Sequence, residues 1–368
     1  MLKKIFKPQG RPDYFFLAIL FALVVFGLAM LASASSALGQ LQFNDSYFYL
    51  KHQILYGVLP GIVGFLAGYF IPYEKWKKAA LPLLIVGIVF LGLVFTHLGA
   101  EVNSTSRWLR LGPILFQPAE IVKLVYVLYI AAWLSNVKMN RVHDIRTGLI
   151  PFLVVSGSIA ILLILQPATS TVAILIGSGL VMYFVSGAPK RYLAAIVLIG
   201  LLAVAAVIYV TPYRRARILG FLHQSSNVQG ENYQVNQAMI AIGSGGFWGV
   251  GYGRSPIKAG LPAAIDDSIF AVIANELGFV GSAVVIVLFC LFALRLFFDA
   301  RHVGDRFGYL LLIGIGTVIS FQAFINIAST SGVLPMTGVP MPFVSYGGTA
   351  LAAFLTMTGV AANVTRSI

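Results

Sequence analysis

Charged side chains are scarce in this sequence: they make up 10% of its 368 residues, where a soluble domain carries about a quarter. That scarcity excludes an aqueous exterior of ordinary size. Acidic residues are rarer still, 12 against 25 Lys and Arg, which leaves a formal net charge of +13. The one cysteine, Cys290, lies inside an apolar run; it excludes an intrachain disulfide and suits a small buried hydrophobe. With 5 histidines scattered along the chain, no His or Cys cluster of the metal-ligand kind is present.

What fills the chain is hydrocarbon: 59% hydrophobic residues and a mean hydropathy of +0.90. Apolar stretches of about 20 residues, the length that crosses a bilayer, fall near 14–34, 52–72, 79–98, 115–136, 148–166, 168–187, 192–211, 268–294, 308–330 and 343–364. The expected fold is therefore an all-α integral membrane protein of about ten transmembrane helices, one polytopic domain over 1–368, with the first span an uncleaved anchor. The fifth and sixth spans, parted only by Gln166-Pro167, form either a tight hairpin or one broken helix. Basic residues sit in short loops between the spans. Roughly twice as many fall on one side, among them Lys3, Lys4, Lys7, Lys75 and Lys138, as on the other. By the positive-inside rule this makes both termini cytoplasmic in a multi-pass protein of the cytoplasmic membrane. Such charges contact anionic lipids and are not a nucleic-acid surface.

One outer segment is out of proportion. From about Pro212 to Asp267, between the seventh and eighth spans, some 55 residues lie outside the bilayer, far beyond the usual connection of about 4–6. Its start, Arg214-Arg215-Ala216-Arg217-Ile218, alternates basic and apolar faces like an interfacial helix. Its glycine-rich middle, Ala241 to Gly249, suggests a re-entrant or closely packed turn.

Few acidic residues need special explanation. Asp13, Glu74, Asp144, Asp299 and Asp305 fall beside basic residues and are expected to be solvated loop charges; Asp45 and Glu101 lie in outer loops, and Glu231 in the long loop is undecided. Glu120 and Lys123, three apart on the fourth span, share a helical face at membrane depth, where ionisable groups face a bundle interior or a polar cavity. They suit either a structural ion pair or the wall of a substrate cavity. Asp266 and Asp267 end the long loop, with Glu276 two to three turns further in. Adjacent carboxylates at a membrane-entry point repel and raise the proton affinity of one, which suits a general base. Helix capping is the plainer alternative.

These residues stand in motifs. Arg107-Trp108-Leu109 is followed by Leu111-Gly112-Pro113 and then Phe116-Gln117-Pro118-Ala119-Glu120-Ile121-Val122-Lys123. Further on come Gln166-Pro167, Ala241 to Gly246, Asp267 with Ile269-Phe270-Ala271, and Glu276-Leu277-Gly278. The series closes with Gly338 to Gly348, which contains Val344-Ser345-Tyr346. In this order the sequence resembles the SEDS family of bacterial cell-wall proteins (shape, elongation, division and sporulation). Tyr47-Phe48, His52-Gln53 and Pro342-Phe343 lean it towards the FtsW rather than the RodA branch.

The resemblance implies a peptidoglycan glycosyltransferase that polymerises lipid II on the outer membrane face, by inverting transfer, in cell division. It places the essential aspartate at Asp267. It places the family's loop arginine and tryptophan at Arg107 and Trp108 and its fourth-span pair at Glu120 and Lys123; Arg110, Arg214, Arg215 and Arg217 are the further cations a departing pyrophosphate calls for, and Asp266, Glu276 and Ser345 complete the expected substrate-binding set. A class B penicillin-binding protein and other division or elongation proteins are the implied partners. A divalent cation, Mg or Mn, at the pyrophosphate is compatible with the resemblance. Three positions depart from the family: Ile265 replaces a common His, Ala168 a common Asp after the Gln-Pro turn, and Asn275 an acid before Glu276. They argue against a two-carboxylate or metal-bridged scheme and concentrate the chemistry on Asp267. A lipid II flippase and a non-catalytic division scaffold stay open as alternatives.

Overall fold

The computed structural model describes residues 10–368 apart from 103–104, 113, 137–140, 223–231 and 259. Lys3, Lys4, Lys7, Pro113, Lys138 and Glu231 lie outside the described residues. In lipid, an apolar run can satisfy its backbone N–H and C=O groups only within a helix or a closed barrel, and the apolar runs here are helices. In chain order the elements are α1 (Tyr14–Phe43), α2 (Phe48–Phe70, with a π turn at Ile54–Val58) and α3 (Tyr73–Leu93), then strands β1 (Gly99–Val102), β2 (Thr105–Leu111) and β3 (Ile114–Phe116). There follow α4 (Pro118–Leu134), α5 (Ile145–Leu165), α6 (Thr169–Val185), α7 (Lys190–Val210), α8 (Pro212–Leu222), α9 (Tyr233–Gly245), α10 (Ile269–Ala300), α11 (Arg306–Thr330) and α12 (Gly348–Thr365).

Among the described residues, 8 helices are long and apolar enough to cross a membrane. The other two expected spans are the 17-residue helices α4 and α6, each about 25 Å long at 1.5 Å per residue. Helix α4 is buried along most of its length, as are α11 and α12, while α7 is exposed on nearly all its surface. The Gln166-Pro167 pair separates two helices, and α1 runs nine residues past its expected end. A small antiparallel sheet of order β1-β2-β3 joins α3 to α4, with Ala100 opposite Trp108 and Leu109 opposite Phe116. It adds to the all-α expectation, because this loop carries strand-forming Thr, Trp, Leu and Ile residues that pair with one another.

The long loop contains α8 and α9, and the glycine stretch after α9 docks into a break in α10. Gly278 has φ +65, so the helix opens there. Val250 and Gly251 donate their N–H groups to the carbonyls of Asn275 and Glu276 at the break, each at 3.0 Å, and Phe279 N–H reaches the Gly246 carbonyl at 2.9 Å. Gly249 sits so close to the Glu276 carbonyl that no Cβ fits.

Asp13 and Asp299 are not solvated loop residues: the Asp13 side chain is 9% exposed and pairs with Arg295, and Asp299 is 3% exposed near the end of α10, 3.3 Å from the same Arg295. The helix runs six residues beyond its expected limit and carries Arg295 and Asp299 inward. Asp13, Asp144 and Asp305 accept backbone N–H groups as the N-caps of α1, α5 and α11. Cys290 is half-buried rather than buried.

Candidate functional site

Asp266 and Asp267 precede Ser268, which occupies the N-cap of α10, so neither acid caps the helix. Their turn is made by Ala263 at φ +51, whose carbonyl accepts the N–H groups of Asp266 and Ser268 at 3.0 Å each. An alanine in this left-handed region stores on the order of 1 kcal/mol of strain, which the surrounding bonds must hold. Those bonds all reach the backbone. The Asp267 carbonyl accepts from Asn326 Nδ2 at 2.9 Å and Thr330 Oγ1 at 3.1 Å, and the Asp266 carbonyl accepts from Ser345 Oγ at 2.6 Å. Neither carboxylate has a hydrogen bond among the described residues, and both acids are half-buried. Burial raises the Asp267 carboxyl to about 6, held back by the positive charges of Arg217 and Arg107. Burial, and then the negative charge of Asp267, raises Asp266 to about 7.

The arginines lean on carbonyls around these acids. Arg107, on β2, donates from Nε to the Gln166 carbonyl at 2.9 Å and from Nη2 to that of Pro167 at 2.7 Å. Arg214 donates from Nη2 to the Ile164 carbonyl at 2.9 Å. Two guanidinium groups thus cover the C-terminal carbonyls of α5, where positive charge is favoured. Arg217 Nη1 reaches the Met336 carbonyl at 3.1 Å and lines a shallow recess with Phe221, Gln234, Met239 and Pro335. Arg110 and Arg215 are exposed, and Trp108 is half-buried beside Arg107.

Glu120 and Lys123 form a deep pair. Lys123 Nζ lies 2.7 Å from Glu120 Oε2, donates also to Gln322 Oε1 and sits 5.2 Å from the centre of the Phe354 ring. Gln322 Nε2 in turn donates to the Pro340 carbonyl at 2.9 Å, and Asn326 Nδ2 to that of Val339 at 2.7 Å. Lys123 therefore props the 338–346 loop rather than facing an open cavity. Ser345 belongs to the same brace: its hydroxyl accepts the Met341 N–H at 2.8 Å while bonding Asp266. Glu276 stands apart. It is fully buried against Lys258 at 3.3 Å, Ser33 Oγ at 2.6 Å and the Gly253 N–H at 3.0 Å, and it pins the 250–260 loop to α1 and α10.

Gln322, Asn326 and Thr330 carry much of this bracing and were not singled out from sequence. Their signal was legible: three polar side chains at i, i+4 and i+8 in an apolar helix, a costly placement in lipid. Among the described residues no three His, Cys, Asp or Glu side chains converge. A magnesium-type cation needs only one or two carboxylates when phosphates and water complete its shell, and Asp267 with Asp266 can supply those.

Fold and site together define a multi-pass membrane protein whose two adjacent half-buried acids and carbonyl-bonded arginines gather where the long loop, the hairpin sheet and the 338–346 loop meet. The chain belongs to the SEDS family: the FtsW/RodA/SpoVE family of cell cycle proteins matches residues 14–368. A probable peptidoglycan glycosyltransferase FtsW of Geobacter sp. (strain M18) is 32% identical over 354 residues, covering 96% of each chain. Stage V sporulation protein E of Bacillus subtilis (strain 168) is 33% identical, covering 97% of this chain and 98% of its own. Among solved structures, a chain from a peptidoglycan synthase complex that coordinates polymerization and crosslinking superposes with a TM-score of 0.80 at 27% identity, covering 96% and 98%. The rod shape determining protein RodA of Thermus thermophilus does so at 0.71 and 26%, covering 96% and 97%. The FtsW names among the relatives agree with the leaning of the sequence motifs.

Proposed function

We propose that this chain polymerises lipid II into peptidoglycan glycan strands on the outer face of the cytoplasmic membrane, with both termini cytoplasmic, during cell division. The observation that carries this reading is Asp267: a half-buried carboxylate clamped by its backbone, unbonded at its side chain, with Arg217 and Arg107 in electrostatic reach. Asp267 takes the proton from the 4-hydroxyl of the acceptor sugar as that oxygen attacks the anomeric carbon of the donor. The carbon–oxygen bond to the lipid pyrophosphate breaks on the opposite face, with inversion. Pyrophosphate is a good leaving group, so a single carboxylate suffices where a glycosidase uses two. Arg107 and Arg217, with Arg214, Arg215 and Arg110 nearby in sequence, supply positive charge as the pyrophosphate departs. A divalent cation bound with substrate would be held by Asp267 and Asp266 and would add to that charge. Glu120, Lys123 and Ser345 act through the braced loop. A class B penicillin-binding protein is the partner, by likeness to the synthase complex.

The test is lipid II polymerisation by the purified chain, alone and with that transpeptidase, comparing wild type with Asp267→Asn. Glycan from the wild type and none from a folded variant supports the transferase. Equal product from both refutes the assigned base. No product from either, with labelled lipid crossing liposomes, favours the flippase; no product and no crossing favours the scaffold.

A further inference from the structure

His52 and Gln53 at the start of α2 reach across to the loop that braces Asp266. Gln53 Oε1 accepts the Gly347 N–H at 2.9 Å, and its Nε2 donates to the Ser345 carbonyl at 3.3 Å. Tyr346 is thereby held between two clamped neighbours, and its own N–H donates to the Ile265 carbonyl at 2.8 Å. Its hydroxyl pairs with His52 Nδ1 at 2.8 Å. Around this pair the rings order one another: Tyr49 meets Tyr346 edge-to-face at 5.2 Å, and His52 packs on Tyr56 at 4.4 Å. The π turn of α2 begins at the next residue, Ile54, and such turns recur at functional sites.

Tyr56 is 39% exposed, while Tyr49, His52 and Tyr346 are half-buried. The Asp266 carboxylate lies within electrostatic reach of Tyr49 and Tyr346. Amphipathic rings beside a few fixed polar groups describe a small-molecule site. A lipid tail would have no use for the imidazole and hydroxyls, and none of these four side chains is the Lys or Arg that a phosphate calls for. A pyranose ring matches both features, with an apolar C–H face to stack and hydroxyl edges to bond. Because Asp266 adjoins the base, the ring in question is the one that presents the attacking oxygen.

We propose that Tyr49, His52, Tyr56 and Tyr346 form the subsite for the acceptor sugar ring, an inference that rests on the transferase reading. The test is steady-state glycan synthesis over a range of lipid II concentrations by the full chain with its class B partner, comparing wild type, Tyr49→Leu, Tyr346→Leu and Tyr346→Phe. In each leucine variant the half-saturating concentration rises about three- to tenfold, the worth of one aromatic contact, with little change in kcat; Tyr346→Phe, which keeps the ring, recovers most of it. Saturation-transfer NMR with the lipid-free disaccharide-peptide shows contacts to sugar ring protons in wild type that weaken in the leucine variants. Unchanged half-saturation in both leucine variants, or a loss of kcat alone, overturns the subsite and leaves the role of Asp267 standing. A wild-type complex that makes no glycan overturns the transferase, and the subsite with it.

Discussion

Asn326 holds Asp267 by its backbone: one Nδ2 group donates to the Asp267 carbonyl at 2.9 Å and to the Val339 carbonyl at 2.7 Å. A single amide on α11 therefore ties the end of the long loop to the loop containing Gly338, and it leaves the acid's side chain unbonded.

Removing that amide is expected to misplace the acid. Asn326→Ala takes the amide donor from the Val339 carbonyl and leaves the Asp267 carbonyl only Thr330 Oγ1, at about 1–3 kcal/mol for a buried group left unpaired. A shift of about 1 Å at a reacting group can cost about 10²-fold in rate. We expect glycan synthesis to fall by at least about tenfold in Asn326→Ala, and by less in Thr330→Val, which keeps the amide tie. Thermal unfolding separates this from global instability, and wild-type rates in Asn326→Ala would show the tie to be dispensable.

Activity and stability are expected to run in opposite directions with pH. A base must be ionised, and burial raises the Asp267 carboxyl from the ordinary 3.8 to about 6, so synthesis declines below about pH 6. For stability, an acid raised in the folded state binds more protons there than in the unfolded chain. The contribution from Asp267, and from Asp266 at about 7, is complete below about pH 4 and is lost as pH rises through 6 to 7. Arg217→Gln removes a positive charge that favours the ionised acid and should move the acid limb of the pH–rate profile upward. A limb that stays in place would refute the coupling.

The Glu120–Lys123 pair is expected to behave as structure. Breaking a buried pair from one side costs about 3–5 kcal/mol, so Glu120→Gln or Lys123→Met alone should lower Tm sharply. The double change Glu120→Gln/Lys123→Met should lower it less than the sum. Had Lys123 served substrate directly, Lys123→Met would keep its Tm and lose only activity, and detergent-solubilised unfolding curves distinguish the two outcomes.

Gly338 offers a geometric test. Its φ is +64, and a Cβ there would stand 3.4 Å from Asp267 Oδ2. Gly338→Ala should cost on the order of 1 kcal/mol in backbone strain and set a methyl group in contact with the acid. Synthesis should then fall more than stability does; an alanine variant with normal rates would mean that the loop backs away from the carboxylate during turnover.

The residues around which the candidate site is built were legible in the sequence. Asp267 stood out as an acid at a membrane-entry point, and the long loop that ends on it drew attention to the same place. Less legible were the partners. Arg107 and Arg214 turn out to cover the end of α5, a contact no spacing announces. Glu276 shares a motif with Asp267 yet is turned into a separate pocket by the break at Gly278, where the docked glycine loop brings Lys258 to it. The hairpin sheet escaped notice because three short strands carry far less signal than a 20-residue apolar run.

By itself the sequence determined the membrane class and where its apolar spans fall. Lipid leaves a long apolar run only one way to satisfy its backbone, and that constraint is local, summed over neighbouring residues. Only the tertiary structure decided which polar groups meet. Ser33 finds Glu276 across 243 positions, Gln53 finds Gly347 across 294, and Lys123 finds Gln322 across 199. Such pairings depend on which helix faces pack together, and hydropathy carries no information about that.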